Sequence, residues 1–172
     1  LRNLARLRVR ICDASSKIKV QIKSFLSLFG DEVPAGLKEF RWTLGNIQRL
    51  RQVKFSQERN TSTLQHFLDV LENLRNQEGQ ILRRIVDEIR TDPSKQKVID
   101  LMMSIPGIGR LTAITLYTEL MDIDRFRDID HLKSYVGLSP AVYASGKKEK
   151  SLGLVWRYNR HMRNMLIESA WM

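Results

Sequence analysis

Apolar positions in the first half of the chain fall into two stripes with helical spacing. Leu4, Leu7, Ile11, Ala14, Ile18, Ile22, Phe25 and Phe29 recur at steps of three and four, the repeat that lines one face of an α-helix. Gly30 and Pro34 predict its end. At the standard helical rise this element reaches roughly 43 Å. A second stripe runs through Leu64, Phe67, Leu71, Leu74, Ile81, Ile85 and Ile89 and stops before Asp92-Pro93. Glu78-Gly79 interrupts its heptads, which predicts a kink or a polar layer there. Each seam needs an apolar partner. An antiparallel hairpin within the chain and a coiled coil between chains both satisfy the pattern. The intervening segment, with Trp42, Ile47, Leu50, Val53 and Phe55, also reads as helical.

After Pro93 glycines become frequent and the helical stretches shorten. The organisation expected is therefore a long helical coiled-coil region over 1–93 and a compact domain over 94–172. The fold class is mainly α, with at most a short β-hairpin. Within the compact domain, Val98, Ile99, Leu101 and Met102 lead into Ser104-Ile105-Pro106-Gly107-Ile108-Gly109, followed by the apolar run Leu111 to Leu120. Pro106 resists continuation of a helix, and Gly107 and Gly109 permit backbone angles closed to other residues. This helix, tight turn and helix resembles the helix-hairpin-helix motif of DNA repair and recombination proteins. In that motif backbone N–H groups at the start of the second helix hold a phosphate. Gly107, Gly109, Arg110 and Thr112 are the candidate contacts; the alternative is a packed turn with nothing bound.

Tyr135-Val136-Gly137-Leu138-Ser139-Pro140 closes a further short helix and opens a loop, Val142 to Ser151. Ser145-Gly146 sits at its centre, beside Lys147 and Lys148. The glycine leaves the serine hydroxyl accessible, and the cations suit a phosphodiester and the charge that develops when an oxygen attacks phosphorus. Serines before glycine are also common in ordinary turns. The chain then returns to a basic helix carrying Arg157, Asn159, Arg160 and Arg163.

Composition changes the picture by sign of charge. The chain has 172 residues, 29 Lys and Arg against 19 Asp and Glu, a formal net charge of +10 and a pI of about 10.0. Such a balance favours polyanionic partners. The first stripe contributes directly, because Arg2, Arg6, Arg8, Arg10, Lys17, Lys19 and Lys23 oppose the single acid Asp13 on its polar face. One cysteine, Cys12, excludes an internal disulfide and a cysteine-based zinc site, and is expected as a small core or interface residue. His66, His131 and His161 are too scattered for a histidine site. No apolar run approaches the roughly 18 residues needed to cross a bilayer. The arginine-rich start does not read as a signal peptide, so a cytoplasmic protein is expected, with no membrane partner. The opening Leu1, already inside a helical pattern, suggests a fragment.

Taken in order, Ser104 to Gly109 with Thr112-Ala113, Arg125-Phe126, Tyr135 to Pro140, Ser145-Gly146, Asn159-Arg160, Met162-Arg163 and Ile167 to Trp171 resemble the carboxy-terminal domain of the insertion sequence 110/116/902 transposases. The first helix resembles the stretch that follows the amino-terminal domain in that family. The resemblance implies a bacterial recombinase whose RuvC-like amino-terminal domain binds divalent metal, Mg, through four acids. It further implies a structured guide RNA that selects DNA, and an oligomeric active unit joined here through the coiled coil. Ser145 is then the candidate nucleophile for DNA strand cleavage and transfer. Lys147, Lys148, Arg157, Asn159, Arg160 and Arg163 become candidate nucleic-acid contacts. No metal site or cofactor is expected in this stretch, which should be inactive without the metal-binding domain. Two positions depart from the family pattern: Ala144, where another serine is frequent, and Tyr158, where many members place glycine.

The other reading is a non-catalytic module for nucleic-acid binding and oligomerisation. A local two-metal site is a rival for Glu119, Asp122, Asp124, Asp128 and Asp130, with Glu119 and Asp122 on one helix face. The simpler expectation is that Asp128 or Asp130 caps a helix and the others are solvated. Trp156 is expected in the core, with Tyr158 flanking it, although both suit base stacking. His161 is expected at the surface.

Overall fold

The computed structural model describes residues 1–29, 32–37, 41–145 and 148–172; at 35, 141–145 and 148–152 only the backbone is described. The order is α1 (Arg2–Leu28), a single 3-10 turn (Ala35–Leu37), α2 (Leu44–Arg51), α3 (Glu58–Arg90), α4 (Pro93–Met103), α5 (Arg110–Leu120), α6 (Ile129–Val136), β1 (Pro140–Ser145), β2 (Lys148–Leu154) and α7 (Arg160–Ala170). The fold is mainly α, with one two-stranded antiparallel hairpin. Among the described residues no helix is long and apolar enough to cross a membrane.

The chain divides into two compact units, one of Leu7–Arg84 and one of Leu1–Arg6 with Ile85–Met172. In the first, the two stripes meet each other. Ile22 and Leu26 of α1 share a core with Leu64, Leu68 and Leu71 of α3, closed by Ile47, Leu50, Val53 and Phe55. Phe25, Phe29, Phe55 and Phe67 form an aromatic cluster with centroids 5.1 to 5.8 Å apart. Each such side chain contributes roughly 1.5–3 kcal/mol on burial, so the seams have partners inside the chain. The predicted polar layer is present. Helix α3 passes through Glu78 and Gly79 unbroken, and Glu78 Oε1 accepts from Arg8 Nη2 at 2.6 Å. Arg51 joins α2 to α3, donating to Asp69 and Glu72 at 2.7 Å each.

In the second unit the helices start and stop where local chemistry dictates. Asp92 accepts from the Ser94 and Lys95 amides, and Pro93 occupies the first turn of α4, where a missing N–H costs nothing. Asp128 accepts from the His131 amide at 2.8 Å to begin α6, which is the capping role expected for it. Gly137 ends α6 in the left-handed region, at φ 87°. Helix α5 is buried nearly all round, through Ala113, Ile114, Thr115, Leu116, Thr118 and Glu119, because it lies against both α4 and α7. Leu116, Val136 and Met162 bring α5, α6 and α7 into one core.

Candidate nucleic-acid site

Glu119 is the organising charge of this unit. It is 1% exposed, and a bare carboxylate at that depth is costly. Two arginines one helical turn apart on α1 answer it. Arg6 donates from Nε to Oε1 at 2.6 Å and from Nη2 to Oε2 at 2.8 Å, a bidentate pair. Arg2 donates from Nε and Nη2 to Oε2 at 3.1 and 2.9 Å. Asn159 Nδ2 completes the set at 2.7 Å. Burial pushes the carboxyl up, but Arg6, Asn159 and Arg2 together outweigh it and hold the pKa at about 2. The expectation that Glu119 is solvated is therefore overturned, as is a shared helix face with Asp122, since α5 ends at Leu120.

The same hydrogen bonds place Asn159. Its amide nitrogen also donates to Tyr135 Oη at 3.0 Å, while its Oδ1 accepts from the Met162 amide at 3.1 Å and caps α7. The Asn159 amide donates to the Tyr135 carbonyl at 2.8 Å. The turn after β2 is thus fastened to α5 and α6. Tyr158 fits this turn without a glycine's backbone freedom, because Met121 is the one non-glycine residue with positive φ among those described. Its ring lies over Gly137, where an added Cβ would meet Tyr158 Cβ at 2.4 Å. Arg163 packs on the same ring, its guanidinium 4.4 Å from the Tyr158 centroid.

Arg6, Tyr135, Arg157, Tyr158, Asn159, Arg160 and His161 line an open cleft of about 510 Å³. A second cleft of about 360 Å³, lined by Arg125, Phe126, His131, Ser134, Tyr135 and Arg157, shares Tyr135 and Arg157 with it. Arg125 lies 4.5 Å over Phe126 and 4.6 Å over Tyr135. Burial raises the Tyr135 phenol, but bonds from Asn159 and Arg125 and the charges of Arg125 and Arg2 bring it below its ordinary value.

Of the residues singled out in the sequence, Arg157, Asn159 and Arg160 meet at the first cleft. Gly107, Gly109, Arg110 and Thr112 belong instead to the α4–α5 turn. Gly107 has φ 82°, and a Cβ there would meet the Ser169 carbonyl oxygen of α7 at 2.4 Å. Gly109 is the open one, beginning α5 with no side-chain cap and with no atom within 4 Å of an added Cβ. Arg110 is exposed and Thr112 half-buried. Ser145 is the last residue of β1 and pairs in register with Lys148; Gly146 and Lys147 lie outside the described residues.

Trp156 corrects another expectation, being 89% exposed rather than in the core. Strand alternation does not reach it, because β2 ends at Leu154 and the chain bends over 156–158. The Glu119–Arg2–Arg6 cluster was missed altogether. Its traces are a lone acid within the apolar run Leu111–Leu120 and two arginines at a spacing of four. Two of the five acids weighed for a metal site, Glu119 and Asp128, have other partners. Glu119 is committed to guanidiniums and Asp128 to a helix cap, and the described residues hold no cluster of three or more His, Cys, Asp or Glu placed for one.

A basic, mainly helical chain with one two-stranded hairpin running into a cation-lined cleft is the class these features define. Residues 99–172 match the Transposase IS116/IS110/IS902 family, so this stretch of the chain carries that family's transposase domain. It is 26% identical over 97% of its length to the transposase for insertion sequence element IS1111A of Coxiella burnetii, covering 44% of that protein. It is 26% identical over 95% of its length to the transposase for insertion sequence element IS1328 of Yersinia enterocolitica, covering 47%. An insertion element IS116 protein of 44.8 kDa from Streptomyces clavuligerus is 30% identical over 51% of this chain and 21% of its own length. The chain thus spans less than half the length of the curated relatives it matches. No solved structure gives a significant match.

Proposed function

We propose that this chain is the carboxy-terminal part of a DNA transposase and supplies Ser145 as the nucleophile for strand cleavage and transfer. The observation that carries the reading is the position of Ser145 at the end of β1, on a hairpin whose second strand runs into the cation-lined turn at Arg157 and Arg160. In this reading the serine oxygen bonds to a DNA phosphorus, a deoxyribose oxygen departs, and a second strand's hydroxyl reverses the exchange. Lys147 and Lys148 flank the serine in sequence, and Arg157, Arg160 and Arg163 contribute charge that would bind phosphates. Asn159 is reassigned from contact to positioning residue, because both ends of its amide are already engaged.

The α4–α5 turn acts as a helix-hairpin-helix phosphate site in this reading, through Gly109 and Arg110. Gly107 serves its packing. The divalent metal and the acids that bind it belong to another part of the whole protein, a structured RNA selects the DNA, and the long helices assemble copies. Leu7, Val20 and Leu28 leave apolar surface on α1 for that assembly.

The test is Ser145→Ala in the complete transposase. Recombination is expected to be lost while nucleic-acid binding is retained. Recombination by that variant would leave a non-catalytic binding and oligomerisation module as the reading.

A further inference from the structure

Trp156 is one of the most exposed large side chains of the molecule, at 89%, and it immediately precedes Arg157, which lines both clefts. An indole left in water forgoes a large burial gain, so it marks a contact surface more than a structural element. The cleft beside it is cationic. Glu119 is a single negative charge facing both Arg2 and Arg6, which leaves a positive surplus next to the cleft that Arg6 lines, and Arg157 and Arg160 line it as well. Neither cleft is lined by a carboxylate among the described residues.

We propose that this surface holds an unpaired nucleotide of a DNA strand, with its phosphate in the cleft against Arg157 and Arg160 and its base outside the cleft, stacked on Trp156. The proposal rests on the nucleic-acid reading above and narrows it to an unpaired strand. In a duplex the faces of each base are covered by its neighbours, so an indole reaches a base face only where the strand is open. Consecutive Cα atoms are roughly 3.8 Å apart, which allows adjacent side chains to take the base and the phosphate of one nucleotide. The named relatives are transposases, which favours DNA as the strand.

The experiment titrates the full 172-residue chain with single-stranded oligo(dT), a DNA duplex of equal length and oligo(U), reading anisotropy and tryptophan emission at several salt concentrations. The single strand is expected to bind more tightly than the duplex and to quench tryptophan emission. Trp156→Ala should weaken the single strand about tenfold, the size of one base–aromatic stack, abolish the quench and leave duplex affinity within about twofold. Trp171→Ala, the other highly exposed indole, should retain the quench. Arg157→Gln should weaken both forms and flatten the salt dependence. Unchanged single-strand affinity and quenching in Trp156→Ala would overturn the proposal. So would binding and quenching by oligo(U) without oligo(dT). Salt-dependent duplex binding with no response at Trp156 would sink this proposal and leave the broader reading standing. No binding of any nucleic acid at low salt would sink both.

Discussion

Glu119 Oε2 accepts a hydrogen bond from Asn159 Nδ2 at 2.7 Å, across forty positions of sequence. The bond joins the buried helix α5 to the first residue before α7, and the two arginines from α1 converge on the same carboxylate. Glu119→Gln sets an amide donor against donors already aimed at the carboxylate. Arg2 and Arg6 keep about a third of their side-chain surface in water, which softens the loss. Urea unfolding should show a destabilisation of about 2 kcal/mol. A change within experimental error would mean that the arginines are solvated without cost.

The same group sets an acid limit. Its pKa falls from an ordinary 4.5 to about 2 on folding, because Arg6, Asn159 and Arg2 together outweigh the opposing effect of burial. As pH falls the unfolded chain takes up the proton first. The stabilisation is therefore complete above about pH 4.5 and lost progressively toward pH 2, and amounts to roughly 3 kcal/mol at most. Unfolding midpoints should drop more steeply over that window in the wild type than in Glu119→Gln. Parallel curves would remove Glu119 as the source.

Gly107 and Gly109 separate packing from binding. Alanine at 107 must accept φ 82° and a contact of 2.4 Å with the Ser169 carbonyl, so a loss of about 3 kcal/mol is expected by thermal or urea unfolding. Alanine at 109 meets no atom within 4 Å and should cost no more than about 1 kcal/mol, the loss of glycine's preference at a helix N-cap. If Gly109→Ala weakens duplex binding with its fold intact, the α4–α5 turn contacts phosphate. Equal stability losses at both positions would contradict the packing described for Gly107.

Cys12 should be slow to react. Burial raises its thiol, and Glu78 as hydrogen-bond partner raises it further, to about 11. Alkylation near pH 8 should be about a hundredfold slower than for a free cysteine, and should recover in urea. Rapid modification of the folded chain would show that the Arg8–Glu78–Cys12 layer opens readily.

What was readable in the sequence was what depends on neighbours a few residues away. The stripes from Leu4 to Phe29 and from Leu64 to Ile89 specify α1 and α3, because helical periodicity is a local property. Asp92-Pro93, Asp128 and Gly137 mark helix ends for the same reason. The family motifs, from Ser104 to Trp171 in order, pointed to the transposase class. Which groups meet is different. Arg2 and Arg6 read as a solvated basic face and Glu119 as a solvated acid, since only the packing of α5 decides that this acid is buried and must be answered by distant guanidiniums. Trp156 read as core, since the bend after β2, which carries it into solvent, has no pattern of its own. The sequence by itself determined the helices and their family. Tertiary packing decided which charges are paired at Glu119 and which, at Arg157 and Arg160, still face solvent in the cleft, because burial and long-range contact are properties of the folded chain.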